Sequence, residues 1–233
     1  MAKPSGSPCF CFAVPNSFEN DRVKLVPFFL DIHGDELVSG LKHSPQLFDY
    51  IPYGPFKNIE EFRAWHEFRI GHDSTTMLFA VYDKTKRNGG SLAGYIGYLN
   101  ASAQHLCVEV GHIVMLPAFQ RTHVTSNAVG LLIHYALDVP SQGGLGLRRV
   151  VWQAHALNEK SIKAANRLGF KLEGILRFDR IMSPGKPNNG NGERAEDPKV
   201  GWGGRDTVIL GLCWDDWEAG GKEHLDAVMA RTA

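Results

Sequence analysis

Apolar residues fall in short runs along this chain, divided by polar, glycine and proline positions, and the spacing within the runs switches between two periods. Arg22–Phe28, "RVKLVPF", reads as a strand. "DIHGDELVSGLKHS" follows as a short helix with Asp31 expected at its N-cap. "LFDYIPYGPF", rich in aromatics and proline, is a loop. Asn58 is expected to cap the next helix, with Glu61 at the capping-box position. Ile59, Phe62, Trp65 and Phe68 recur there close to the helical period. Three apolar runs come next: "TMLFAVYD", "LAGYIGYLNAS" and "LCVEVGHIVML". Short polar turns divide them, the first carrying Gly89-Gly90, and together they predict an antiparallel meander.

Val129, Leu132, Ile133, Ala136 and Leu137 then share one helical face. "RRVVWQAHA" is a strand, and "NEKSIKAANRLGF" is a helix closed by Gly169. "KLEGILRFDRIM" and "DTVILGLCW" are two final strands, and "EHLDAVMAR" is a short helix. The order is strand, two helices, three strands, helix, strand, helix, two strands. It predicts an α/β (α+β) arrangement with helices packed on a mixed sheet.

Length and punctuation set the domain plan. A chain of 233 residues can bury one substantial core. Residues 1–20, rich in Pro, Ser and Gly, are expected to be a flexible tail, and 21–218 a single domain. Residues 219–233 form a terminal helix or tail. Within the domain, 183–204 has no apolar period and is expected to be a long mobile loop. No internal repeat is visible.

Bulk chemistry narrows the classes. Basic and acidic residues number 25 each, so the formal net charge is zero, which argues against a nucleic-acid partner. No long apolar segment follows a basic start, so neither a membrane span nor a signal peptide is expected. The four cysteines complete no metal-site pattern, and Cys107 and Cys213 sit in strand-like runs as small core residues. We expect no metal and a reduced, cytoplasmic protein.

The stretch "PAFQRTHVTSNA", Pro117 to Ala128, lies between a strand and a helix. Pro117 marks the strand's end. Thr125, Ser126 and Asn127 offer oxygens to cap the following helix. The first-turn N–H groups of that helix lack internal partners and suit a phosphate, to which Arg121 and His123 could add cationic donors. A plain strand-to-helix turn is the alternative.

With "NEKSIKAANRLGF", this stretch resembles the acetyl-CoA-binding core of the GNAT acyltransferase superfamily. The first resembles its pyrophosphate loop, (Gln/Arg)-x-x-Gly-x-(Gly/Ala), and the second its Asn-x-x-(Ala/Ser)…Gly-Phe helix. The likeness runs from about Arg22 to Trp217 and is closest to the branch of ribosomal-protein N-terminal and polyamine acetyltransferases. "DYIPYGPF", "GHI", "QRT" and "GRDT" look like one subgroup of that branch. Arg121 and His123 stand where many members have glycine, and Thr125 replaces Gly/Ala, so the loop is expected to use ordinary dihedrals. The resemblance implies the GNAT fold, a mixed, mostly antiparallel sheet of about six or seven strands.

It also implies direct acetyl transfer from acetyl-CoA to an amine. An ammonium is not nucleophilic until a base takes its proton. Glu109 matches the catalytic glutamate of histone acetyltransferases, and a lone charge in an apolar strand needs a reason. His112 is the rival base. Alternation places Glu109, Gly111 and Ile113 on one face and Val110, His112 and Val114 on the other. Ser161 matches the serine some members place near the departing thiolate; the position of the more common tyrosine is Ala165 here, which makes Ser161 the better acid candidate or leaves the thiolate to water. Cofactor contacts implied by the resemblance are Ile113, Val114, Met115, Gln120, Arg121, Thr122, His123, Val124, Thr125, Ser126, Asn158, Ser161 and Asn166. A backbone N–H within Ile113–Met115 would meet the thioester oxygen.

Tyr50, Tyr53, Phe56 and Trp202 are candidates for enclosing the acceptor. No acidic cluster suits a polyamine, and the long loop could act as a lid over a small molecule. We therefore expect a small amine as acceptor. N-terminal or lysine acetylation of a protein, or a non-catalytic acyl-CoA-binding module, are the alternatives, and the resemblance allows a homodimer.

Overall fold

The computed structural model describes residues 10–86 and 90–231. Cys9 and the centre of the expected turn at 87–89 lie outside the described residues. Eight strands are present among those described. They are β1 (Phe18–Glu19), β2 (Val23–Pro27), β3 (Met77–Asp83), β4 (Ser91–Ser102), β5 (Cys107–Met115), β6 (Arg149–His155), β7 (Lys171–Met182) and β8 (Gly203–Cys213). They form one sheet in the order β1-β2-β3-β4-β5-β6-β8-β7. Every neighbouring pair is antiparallel except β5–β6. That parallel pair needs a crossover, which the helix α3 (His123–Leu137) provides. The expected meander is β3-β4-β5.

One strand more than expected appears because the N-terminal segment is not loose over its described part. Phe18 is buried against Phe79 and Tyr135. Phe10 stacks on Tyr98, and the Tyr135 hydroxyl donates to the Ala13 carbonyl at 2.6 Å. Aromatic residues placed among the prolines and serines dock residues 10–19 onto the core, against the expectation of a free tail.

Two apolar layers sandwich the sheet. One lies beneath α3, α4 (Glu159–Arg167) and the C-terminal helix Lys222–Met229, and includes Val129, Leu132, Ile133, Ala136 and Leu137 as expected. The other lies beneath α1 (Leu30–Leu41) and α2 (Ile59–His66). The α2 cap is as expected, with the Asn58 side chain accepting from the Glu61 N–H at 2.9 Å. The α1 cap is not. Asp31 sits in the first turn, Phe29 is the N-cap, and the Phe29 N–H donates to His33 Nδ1 at 2.9 Å. Phe68 also leaves its predicted face. A π-turn over Glu67–Gly71 breaks the helical period and leaves Phe68 83% exposed. Gly169, at φ 98°, ends α4 in the left-handed region that favours glycine.

The loop after β7 is shorter than expected, because Gly203 and Gly204 pair into β8. Lys186 Nζ donates to the carbonyls of Ile51 and Tyr53, each at 2.7 Å, and the Asp206 N–H donates to Asn189 Oδ1 at 2.7 Å. The 183–202 connection is thereby tied to the Tyr50–Tyr53 loop and to β8.

Candidate active site

Pairing between β5 and β6 ends at Glu109 opposite Val151, although β5 runs on to Met115 and β6 to His155. The two strands part there, and a cavity of about 1090 Å³ opens at the gap. Glu109, His112, Ile113, Val114, Met115, Gln120, Thr125, Asn158, Ser161, Tyr50, Tyr53 and Trp202 all line it. Most of the residues singled out in the sequence therefore meet at one place.

The alternation expected for β5 fails midway. Tyr95 opposes Val114 and Gly97 opposes Gly111, so β5 carries one residue too many, and His112 adopts φ 49°. Such a bulge re-aims the side chains beyond it. Val108, Val110, Ile113 and Met115 pack with the α3 cluster, while Val114 packs with the α2 cluster. The His112 ring lies against Tyr53 and Trp65, also in the α2 layer. His112 thus shares a face with Glu109, and Ile113 moves to the other.

Glu109 is 7% exposed. Burial raises its pKa, partly offset by the Asn100 amide, which donates to Oε2 at 2.6 Å, and by the charges of Arg180 and Arg205. Gly111 leaves it room, since a Cβ there would lie 3.0 Å from Glu109 Oε1. His112 Nδ1 is 2.7 Å from the Tyr53 hydroxyl, and its Nε2 is buried with no hydrogen-bond partner. Burial first, then Arg69 and Arg180, push its pKa down to about 3.

Across the gap, Asn158 caps α4 by accepting from the Ser161 N–H at 3.1 Å. The Ser161 hydroxyl accepts from Trp152 Nε1 at 3.0 Å, which leaves its own proton free to donate. The loop before α3 departs from expectation in two ways. The helix starts at His123 with Thr122 as its cap, accepting from the Val124 N–H at 3.3 Å, so Thr125, Ser126 and Asn127 lie inside it. Arg121 takes φ 58°, so the loop does use a left-handed residue, held by an arginine in place of glycine.

Several expected contacts are not on the cavity wall. His123 turns to Asp83, with Nε2 3.3 Å from Oδ1. Val124 and Ser126 are buried in α3, and Asn166 is exposed on α4. Phe56 packs behind the wall against Phe48, Phe62 and Trp65. The sequence reading missed Asn100, Arg180 and Arg205. A basic pair at the ends of two late strands was visible in "FDRIM" and "GRDT", but no local signal says that it faces Glu109.

Residues 22–171 match the family described as acetyltransferase (GNAT) domain. Among solved structures, a probable GNAT-family acetyltransferase from Chromobacterium violaceum is 26% identical. Its TM-score is 0.73, with 94% of this chain and 96% of that one covered. A GCN5-related N-acetyltransferase from Brucella melitensis is 28% identical, with a TM-score of 0.74 and coverage of 92% and 85%. A spermidine N-acetyltransferase from Vibrio cholerae, solved with CoA and spermine, is 16% identical with a TM-score of 0.60. It covers 85% of this chain and 99% of its own, a likeness of fold alone. No curated protein matches this chain.

Proposed function

Because this chain belongs to the GNAT acetyltransferase family and is acetyl-CoA-dependent on that ground, we propose that it acetylates the primary amine of a small molecule, with Glu109 as the base. The observation that carries this reading is a buried carboxylate facing the gap where β5 and β6 part, with an unspent hydroxyl proton on Ser161 across from it.

The residues present fit coenzyme A. The β6-facing edge of Ile113–Met115 has no strand partner, so its backbone can pair with an extended chain instead. Thr125, on the first turn of α3, lines the cavity, which gives a phosphate access to N–H groups without internal partners. When bound, acetyl-CoA supplies an acetyl thioester. Glu109 would take one proton from the acceptor ammonium, freeing the amine to attack the acetyl carbon, and the second proton shed by the nitrogen as the carbon–sulfur bond breaks would leave with the thiolate. Its raised pKa makes it a stronger acceptor than an ordinary carboxylate. A free N–H of Ile113–Met115 would be the donor for the thioester oxygen, and the Ser161 hydroxyl the donor for the departing sulfur.

His112 is the weaker candidate. One ring nitrogen is engaged by Tyr53, and a pKa near 3 makes the other a poor proton acceptor. We assign His112 and Tyr53 to the acceptor wall, together with Tyr50 and Trp202. A wall of aromatic rings, tied down by Lys186, favours a compact amine over a protein terminus. Thiol release from acetyl-CoA with a panel of amines and short peptides tests this. Turnover of small aryl or alkyl amines is expected. Turnover of peptides alone would redirect the reading to protein acetylation, and cofactor binding with no acceptor used would leave a binding module.

A further inference from the structure

Arg180 and Arg205 stand directly opposite each other across the β7–β8 ladder, and both line the cavity that holds Glu109. Like charges in that position oppose pairing unless something answers them. Arg180 is answered. The register shift of β7 between Leu176 and Arg180 brings Asp179 beside it, with Arg180 Nε 3.2 Å from Asp179 Oδ2. Arg180 Nη2 also donates to Gln153 Oε1 at 3.1 Å, and Asp179 accepts from the Thr207 hydroxyl at 2.7 Å.

Arg205 is answered only at a distance, by the charges of Asp179 and Glu109. It is 6% exposed, its Nε is buried with no hydrogen-bond partner, and its Nη1 reaches only the Tyr50 carbonyl, at 3.5 Å. Among the described residues it joins no ion pair. A buried guanidinium with no carboxylate in contact and an unpartnered Nε is costly, and a group meeting it in the cavity would recover that cost. Glu109 shares the cavity but turns Oε2 to Asn100.

We propose that Arg205, backed by Arg180, receives a carboxylate of the acceptor, so that the substrate is a small amine that is also an acid. The inference rests on the small-amine reading above and deepens it. A carboxylate fits better than a phosphate. Asp179 offsets Arg180 and Glu109 also acts on Arg205, so a singly charged group suffices, and a planar carboxylate matches the guanidinium fork. Glu109 and Arg205, both on the cavity wall, then complement one zwitterion, with the ammonium toward Glu109 and the carboxylate toward Arg205. The same charge disfavours a polyamine, whose second ammonium would meet the arginines.

Matched acceptors test this: phenylalanine against phenethylamine, and 4-(aminomethyl)benzoate against benzylamine, with acetyl-CoA saturating. We expect kcat/KM to favour the acid of each pair by at least about tenfold. In Arg205→Gln that ratio should fall to about one, and Arg205→Lys should restore part of it. A second arm needs no turnover. With coenzyme A saturating, calorimetry compares 3-phenylpropionate with 3-phenylpropanol, and the acid should bind more tightly to the wild type but not to Arg205→Gln. Equal or better use of the members lacking the carboxylate by the wild type overturns the proposal even if the variants do not fold. So does an unchanged ratio in a folded Arg205→Gln. Were no amine of either kind acetylated, the small-amine reading would fail, and the binding arm alone would decide Arg205.

Discussion

The Asn100 amide donates to Oε2 of Glu109 at 2.6 Å, from a residue that sits at φ 49° where β4 loses register with β5. The bond crosses between neighbouring strands and orients a carboxylate that has little water. If Glu109 is the base, Glu109→Gln keeps the shape and the burial but removes the proton acceptor. We expect kcat/KM to fall by about 10²–10⁴-fold with the dissociation constant for acetyl-CoA unchanged by calorimetry. Unaltered turnover would remove Glu109 from the mechanism.

The same carboxylate sets an acid limb on the rate profile. Burial raises the Glu109 pKa and the Asn100 bond lowers it. Activity should therefore rise with pH as Glu109 loses its proton, at a value above that of an ordinary glutamate. Asn100→Ala removes the lowering influence, so the limb should move to higher pH. A profile of kcat/KM between pH 5 and 9 for both proteins reads this shift, and a limb that stays put would separate it from Glu109.

His112 makes a prediction about stability. Its pKa of about 3 in the folded chain lies below the usual 6.5, so the unfolded chain binds more protons between those values. Stability should fall as pH drops through that window, by about 1.4 kcal/mol per pH unit for one such histidine. His33, His66 and His155 are shifted in the same direction by burial and add to the slope. Denaturant titrations from pH 7 to pH 4 should show the slope flattening by about one proton in His112→Gln. An identical slope in that variant would contradict the assignment.

Arg121 holds a backbone conformation that costs a residue with a side chain about 1 kcal/mol. Arg121→Gly should therefore raise the thermal midpoint or leave it unchanged. If the guanidinium contributes to phosphate binding, the same variant should bind coenzyme A several-fold more weakly, more so at low salt. Unchanged affinity would assign the phosphate to backbone N–H groups alone.

Lys186 joins the 183–202 connection to the Tyr50–Tyr53 loop through the carbonyls of Ile51 and Tyr53. Lys186→Met keeps the length and loses both bonds. We expect faster proteolytic cleavage within 183–202 and a higher KM for the amine, with the KM for acetyl-CoA little changed. Protection equal to wild type would show that the other contacts of this loop suffice.

What the sequence by itself determined is what neighbours along the chain can enforce. The α2 cap at Asn58, the end of α4 at Gly169 and the buried face of α3 follow from periodicity and from residues a few positions apart. The two stretches singled out by resemblance do meet, since Gln120, Thr125, Asn158 and Ser161 line one cavity. Tertiary structure decided the rest. The extra residue at His112 has meaning only against the register of β4, and it reverses which side chains share the face of Glu109. The helix start at His123 depends on Thr122 and on Asp83 from another strand. Arg205 reads as an ordinary charged residue until β7, β8 and the Tyr50 loop enclose it and leave its Nε without a partner. Burial and pairing are properties of distant segments brought together, and a local pattern carries no record of them.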